Sequence, residues 1–171
     1  MPVKVEIRLD AQSMTEFMIY HIYTGMVGIL TLVLGVLNVA LTVVFAMQKD
    51  FLLMALFLFF AGLIWIAFPY FIKIKVTNQM KSSRRLNVPV TYTFDESGVE
   101  TVTPDDSGKA SWGKFKRAVS RKGILILYDA AKRAIILPVD QLGENYTGIV
   151  DLIYANMPAP AVRIRRLDQK R

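Results

Sequence analysis

Apolar and charged residues alternate strictly in the opening segment VKVEIRL. Val3, Val5, Ile7 and Leu9 fall on one face and Lys4, Glu6 and Arg8 on the other. Period two predicts a half-buried strand. The pattern then changes. Met26 to Met47 contains no charge, and neither does Phe51 to Ile72. As a helix, each run is long enough to cross a hydrocarbon core of roughly 30 Å. Only Gln48, Lys49 and Asp50 separate the two, so an antiparallel hairpin is expected. Buried core helices are the soluble alternative, but nothing else in the chain is large enough to wrap both segments. A cleaved signal peptide is disfavoured too. The first run is too long and lies behind a polar, partly acidic segment.

Between strand and first span lies SMTEFMIYHIYTG. Ser13 and Glu16 have capping-box spacing, and Phe17, Tyr20, His21 and Tyr23 recur at helical intervals. This predicts a short helix running along or into the membrane surface, then passing through Gly25 into the span. Within the spans, Gly25, Gly28, Gly35, Ala61 and Gly62 are small enough for close helix approach. Asn38 is the one strongly polar group at mid-membrane, expected to hydrogen-bond between helices. Pro69 lies near the end of the second span, where a small kink is tolerated. Phe68, Tyr70 and Phe71 read as interfacial aromatics.

After the membrane the chain returns to short strands. VPVTYTF, VETVT, KASW, KFKRAVS, ILILYDA and RAIILPV are joined by the turns ESG, PDDSG, RKG and an AK-containing turn. About six strands in roughly fifty residues is the spacing of a small antiparallel sandwich or barrel. In DQLGENYTGIVDLIYANMP the period becomes helical, with Leu142, Tyr146, Ile149, Val150, Ile153 and Tyr154 recurring three and four apart. Asp140 is placed to cap this helix and Pro158 to end it. Six strands and a C-terminal helix resemble a pleckstrin-homology-like fold, which normally has seven. The opening strand is expected to supply the missing one by pairing with the domain built mainly from residues 86 to 157. The competing expectation is that it pairs with a second copy or stays disordered.

Composition changes this picture in three ways. With 53% hydrophobic residues and a net charge of +7, the apolar and basic residues must be segregated. No cysteine and one histidine leave a disulfide or a His/Cys metal site almost nothing to work with. The basic flank KIKVTNQMKSSRR carries Lys73, Lys75, Lys81, Arg84 and Arg85 without an acidic residue. By the positive-inside rule it is cytoplasmic, and two crossings then place both termini there, in a multi-pass protein of the inner (plasma) membrane.

These readings give an α+β membrane protein in three parts. Residues 1–24 hold the strand and interfacial helix, 25–73 the hairpin with spans 26–47 and 51–72, and 74–171 a cytoplasmic domain with basic flank and tail. The assembled features resemble the YcxB-like family of bacterial membrane proteins. The most specific part is SWGKFKRAVSRKGILILYDAAKRAIILPVDQL, a Trp opening a strand, then a charged hairpin, then a hydrophobic strand ending in Pro, here Trp112 and Pro138. Family members usually place a basic residue and an aromatic soon after that Pro; this chain has Val139, Asp140 and Leu142. The resemblance implies architecture and brings no catalytic residues or cofactor.

For function, the leading expectation is a non-enzymatic adaptor binding another membrane protein, with a homo-oligomer also open. The alternative is a reader of anionic lipid. Lys114, Lys116, Arg117, Arg121 and Lys122 cluster around one hairpin, and with Lys73 to Arg85 and the tail residues Arg163, Arg165 and Arg166 could form a basic face. No paired carboxylates, phosphate loop, HExxH or GxSxG is present. Asp105 and Asp106 are read as turn formers, His21 as an amphipathic residue, and Trp112 as core. Asn145-Tyr146-Thr147 has glycosylation spacing but falls on a predicted cytoplasmic helix. Membrane topology explains the basic residues better than nucleic-acid binding does.

Overall fold

The computed structural model describes residues 2–83, 88–131 and 133–164. It divides into two compact units, Met1–Phe17 with Met80–Arg171, and Met18–Gln79.

The second unit is a helical hairpin. Helix α1 (Ala11–Thr24) enters it at Met18 and is followed by α2 (Met26–Met47) and α3 (Phe51–Gly62). A π turn at Leu63–Ala67 joins α3 to α4 (Phe68–Ser82), so that one helical rod runs from Phe51 to Ser82. Only 6% of the most apolar window of either rod is buried. That separates them from the core helices of a soluble protein, and both are long and apolar enough to cross a membrane. At 32 residues the second rod is about 48 Å long, some 18 Å more than a hydrocarbon core needs. The expected span 51–72 is therefore the first part of a longer helix.

The hairpin turn explains its own tightness. Lys49 adopts a left-handed conformation (φ 60°). Its N–H donates to Ala46 O (3.1 Å) and that of Asp50 to Phe45 O (3.0 Å), the paired bonds of a Schellman end. Asp50 Oδ1 also accepts from the N–H of Leu53 (3.2 Å), capping α3. Close packing follows where glycine permits it. A Cβ on Gly28 would lie 2.1 Å from Ile22 O, and one on Gly35 2.7 Å from Trp65 Nε1. Gly62 meets nothing within 4 Å, so it is not a packing contact as expected. Phe45 stacks on Phe57 with centroids 5.4 Å apart. Pro69 has no N–H for the carbonyl of Trp65. The π turn just before it, closed by Phe68 N–H to Leu63 O, absorbs that mismatch.

Asn38 corrects one expectation. Its Nδ2 donates to Leu34 O on its own helix (2.8 Å), so the bond runs back along α2 and not between helices.

The other unit holds two four-stranded sheets. The first has order β1 (Val3–Ile7), β2 (Val90–Asp95), β3 (Gly98–Val102), β4 (Ser107–Ser111). The second has order β7 (Ala134–Pro138), β6 (Ile124–Asp129), β5 (Phe115–Arg121), β8 (Val162–Arg163). The opening strand pairs antiparallel with β2, Val3 opposite Phe94 and Ile7 opposite Val90. Its alternation is realised as read: Val5 and Ile7 are buried, while Lys4 and Glu6 are exposed. The strand ends at Ile7, two residues earlier than the pattern suggested, and Leu9 packs at the core's margin. Beyond it, the Gln141 amide holds the backbone of Arg8 from both sides. Gln141 Oε1 accepts from Arg8 N–H (2.9 Å), and Nε2 donates to Arg8 O (2.8 Å). Gln141→Ala is expected to cost about 1–2 kcal/mol in urea unfolding of the full chain, with Gln141→Glu recovering part of it because the acceptor remains.

Helix α6 (Asn145–Asn156) closes the core between the sheets, burying Tyr146, Ile149, Val150 and Ile153. The single helix expected here is two. A short α5 (Val139–Leu142) stops at Gly143, whose φ of 50° breaks the helical run before α6. Asp140 lies inside α5 and caps nothing; the N-cap position is Pro138, with no side-chain bond.

The second sheet is covered on both faces. Along β6 the residues Ile124 to Tyr128 are all buried. Leu125 and Leu127 face the core, while Ile124, Ile126 and Tyr128 face away. On that outer face Phe17 of α1 meets Tyr128 (centroids 6.1 Å), and Glu16 Oε2 accepts from the N–H of Gly123 (3.3 Å). The expected capping box at Ser13 and Glu16 is thereby corrected. Asp10 caps α1, its Oδ1 accepting from Ser13 N–H (2.6 Å), and Glu16 is engaged by the β5–β6 turn. Phe17 thus packs on protein, while Tyr23 meets Phe68 within the hairpin unit (6.2 Å).

Candidate interaction surface

Strand β5 carries most of the domain's candidate basic residues. Phe115 and Ala118 point into the core. The register slips between Phe115 and Arg117, so Lys116 forms a bulge and is exposed, its Nζ donating to Gly113 O (3.3 Å). Lys114 is exposed at the end of the 3-10 turn that precedes the strand, and Arg117 is half-buried. Arg121 and Lys122 are exposed at the far end, with Lys122 at φ 46° in the turn. A seven-residue strand spans about 20 Å, so the five charges form two groups, Lys114–Arg117 and Arg121–Lys122, at opposite ends. Lys73, Lys75 and Lys81 are exposed on α4. Ile72, Val76 and Met80, four apart on the same helix, are buried. Arg84, Arg85, Arg165 and Arg166 lie outside the described residues.

Both sheets are open, and their edges differ. β4 ends the first sheet with no buried side chain along Ser107–Ser111. In the second sheet the β5 edge is occupied by the chain's own tail. After α6, Pro158 and a 3-10 turn at Ala159–Ala161 turn the backbone into β8. β8 runs parallel to β5 for two residues, Val162 opposite Ala118 and Arg163 opposite Val119. Val162 and Ile164 are buried in the core, Arg163 is exposed, and Tyr154 Oη of α6 donates to Ile164 O (3.1 Å). The tail therefore fills a slot between β5 and α6.

At the opposite corner Asp95 ties three elements together. Its Oδ1 accepts from the N–H groups of Ser97 (2.7 Å) and Gly98 (2.9 Å) and from the Ser97 hydroxyl. Its Oδ2 meets Lys109 Nζ of β4 (2.8 Å), and its carbonyl accepts from Trp112 Nε1 (2.9 Å). Gly98 completes the knot, because at φ 154° its missing Cβ would lie 2.1 Å from Ala110 O. Lys109, and then the Ser97 hydroxyl, hold the Asp95 carboxyl well below the usual carboxylate range. A depressed carboxyl stabilises the fold fully above its unfolded pKa and loses that contribution as the pH falls through the folded value. The difference in thermal midpoint between the parent chain and Asp95→Asn is expected to hold steady from neutral pH to about 5. It should close as the pH is lowered below about 4. Asp95 carries no periodic signal; the D-x-S-G turn chemistry is the only sequence clue.

The remaining candidates separate. Trp112 is buried against Phe94 and Phe115, in the 3-10 turn before β5 and not on a strand. Asp106 holds its own turn, Oδ1 accepting from Ser107 N–H (2.8 Å) and its carbonyl from Thr103 N–H (2.8 Å). His21 is half-buried in the last turn of α1. Tyr146, within the Asn145-Tyr146-Thr147 triplet, is buried in α6, and burial pushes its phenol up, with Tyr154 adding to the shift. Among the described residues no three His, Cys, Asp or Glu side chains gather as metal ligands.

A family model described as YcxB-like protein matches residues 94–153, from the end of β2 into α6. No curated protein and no solved structure matches the chain.

Proposed function

We propose that the chain, whose residues 94–153 match the YcxB-like family model, is a non-enzymatic, membrane-anchored adaptor that binds another membrane protein through its β domain. The observation that carries this reading is the pair of open sheets. An open edge offers unpaired N–H and C=O groups, which a partner's extended segment can satisfy. The strand order β1 to β4, then β5 to β7, then a helix closing the core supports a pleckstrin-homology-like topology. In this reading the hairpin is inserted after the first strand, and the two-residue β8 is an addition. The charge bias at Lys73, Lys75 and Lys81 supports placing the domain and both termini on the cytoplasmic face of the plasma membrane.

Purification from native membrane in mild detergent, followed by mass spectrometry, tests the adaptor reading. A stoichiometric companion protein is the expected result, and its reproducible absence overturns it. Exposure of Lys73 and Lys75 just past the apolar run favours a second reading, contact with anionic lipid headgroups. Enrichment of anionic lipid without a protein companion in the same preparation would favour it.

A further inference from the structure

One polar side chain of the hairpin is only partly satisfied. Asn38 lies well inside α2, about 18 Å from the start of the helix and so near the middle of a hydrocarbon core of roughly 30 Å. Its carboxamide has two N–H donors and one acceptor oxygen. One N–H is used by Leu34 O, the only hydrogen bond of this side chain among the described residues. The second N–H and Oδ1 are left. The other helix of the hairpin has nothing to offer them. With Gly35 packed against Trp65, equal rise along two antiparallel helices puts Ala61 and Gly62 level with Asn38, and neither has a polar side chain. A hydrocarbon core holds no water to take their place.

Asn38 is half-buried, so it stands at the margin of the face that packs on α3 and not in its centre. Leu34, one turn before it on the same side of α2, is exposed. Val27, Leu30, Leu34 and Leu37 recur three and four residues apart, and all are exposed. This is the spacing of a helix–helix seam, with the carboxamide beside it. Lipid chains cover apolar residues as well as another helix does, so the seam alone selects no occupant. The carboxamide does. Its donor and acceptor lie side by side, and an identical group turned through a twofold axis satisfies both. A second copy inserted in the same direction also carries its own carboxamide at the same depth.

We propose that two copies of the chain pair within the membrane along α2, about a twofold axis beside Asn38, each carboxamide donating its second N–H to Oδ1 of the partner's Asn38. The pairing takes from the adaptor reading only the insertion of the hairpin in a bilayer.

Single cysteines test the seam, because the chain has none of its own. Leu34→Cys lies on it. Val36→Cys, equally open to lipid, lies about 200° away around α2. Under mild oxidation in native membranes, Leu34→Cys is expected to give disulfide-linked dimers at least about tenfold faster than Val36→Cys. Adding Asn38→Leu to Leu34→Cys should slow linkage, and Asn38→Gln, which keeps an amide, should restore part of it. Energy transfer between differently labelled chains diluted in liposomes reads the same effect at equilibrium. Asn38→Leu is expected to raise the dissociation constant about tenfold, as for two hydrogen bonds inside a membrane. Circular dichroism verifies that each variant stays helical. Equal linkage at positions 34 and 36, linkage at neither, or an Asn38→Leu chain that pairs as well as its parent overturns the proposal. So does an adduct of Leu34→Cys with a different protein in place of the dimer. Alkaline extraction of the same membranes separates the readings. A chain released by alkali is not inserted, which sinks both the pairing and the adaptor. A retained chain that gives no dimer sinks the pairing and leaves the adaptor. Dimers that purify without a companion protein support the pairing and sink the adaptor.

Discussion

Ile7→Asp is expected to unfold the β unit while the hairpin stays helical. Ile7 is 1% exposed and sits opposite Val90 at the end of the β1–β2 ladder. It belongs to the same core as Phe94, Leu142 and Ile153. The substitution removes an aliphatic side chain worth about 2–5 kcal/mol as a cavity. It then asks for a carboxylate where no hydrogen-bonding group was needed, adding several kcal/mol more. A total stability of about 5–15 kcal/mol is typical of a whole domain, so the β unit should be largely unfolded in water. Lys4→Glu and Glu6→Lys, on the exposed face of the same strand, should change stability by less than about 0.5 kcal/mol. Urea titration of the full chain in detergent, followed by near-ultraviolet circular dichroism, separates the two outcomes. Equal small effects at positions 4, 6 and 7 would mean that the strand lies elsewhere, in a second copy or in solvent.

That experiment probes what the sequence displays most openly. Strict alternation in VKVEIRL sets which side chains of β1 are buried. The two long helices were equally plain, because runs of 22 uncharged residues, Met26 to Met47 and Phe51 to Ile72, have few other destinations. Other features left weaker traces. ILILYD does not alternate, and a near-continuous apolar strand signals cover on both faces. Its outer cover, Phe17 and Glu16 of α1, is more than a hundred residues away in sequence and could not be paired with it by pattern. Asp10 and Ser13 are both good N-caps. The choice fell to Asp10, with Glu16 engaged at Gly123 and not reaching back to Ser13. Gly143 stood inside the helical run as a visible breaker, but six apolar residues in phase outweighed it. The basic cluster was legible as composition only. A single bulge at Lys116 and the length of β5 decide that its charges fall into two groups. β8, two residues long, is too short to carry any period at all.

Trp112→Ala is expected to destabilise the β unit by about 3–5 kcal/mol, the range for a large buried aromatic. The indole is 6% exposed, with ring centroids 6.5 Å from Phe94 and 6.0 Å from Phe115. It therefore joins β2, the end of the first sheet and the start of the second at one point. Its Nε1–H also binds the carbonyl of Asp95, whose carboxylate organises the β2–β3 turn and pairs with Lys109. Trp112→Phe keeps most of the apolar body and removes that one donor, so a loss of about 1–2 kcal/mol is expected. The ratio of the two losses distinguishes a packing role from a ligand-anchoring one, since a pocket residue would lose binding with little loss of stability. The chain has two tryptophans, and the other, Trp65, lies in the hairpin. Its fluorescence in either variant reports the hairpin alone. An unchanged Trp65 signal through the unfolding of Trp112→Ala would place the damage in the β unit. A stability loss below about 1 kcal/mol for Trp112→Ala would show that the two sheets are held together without it.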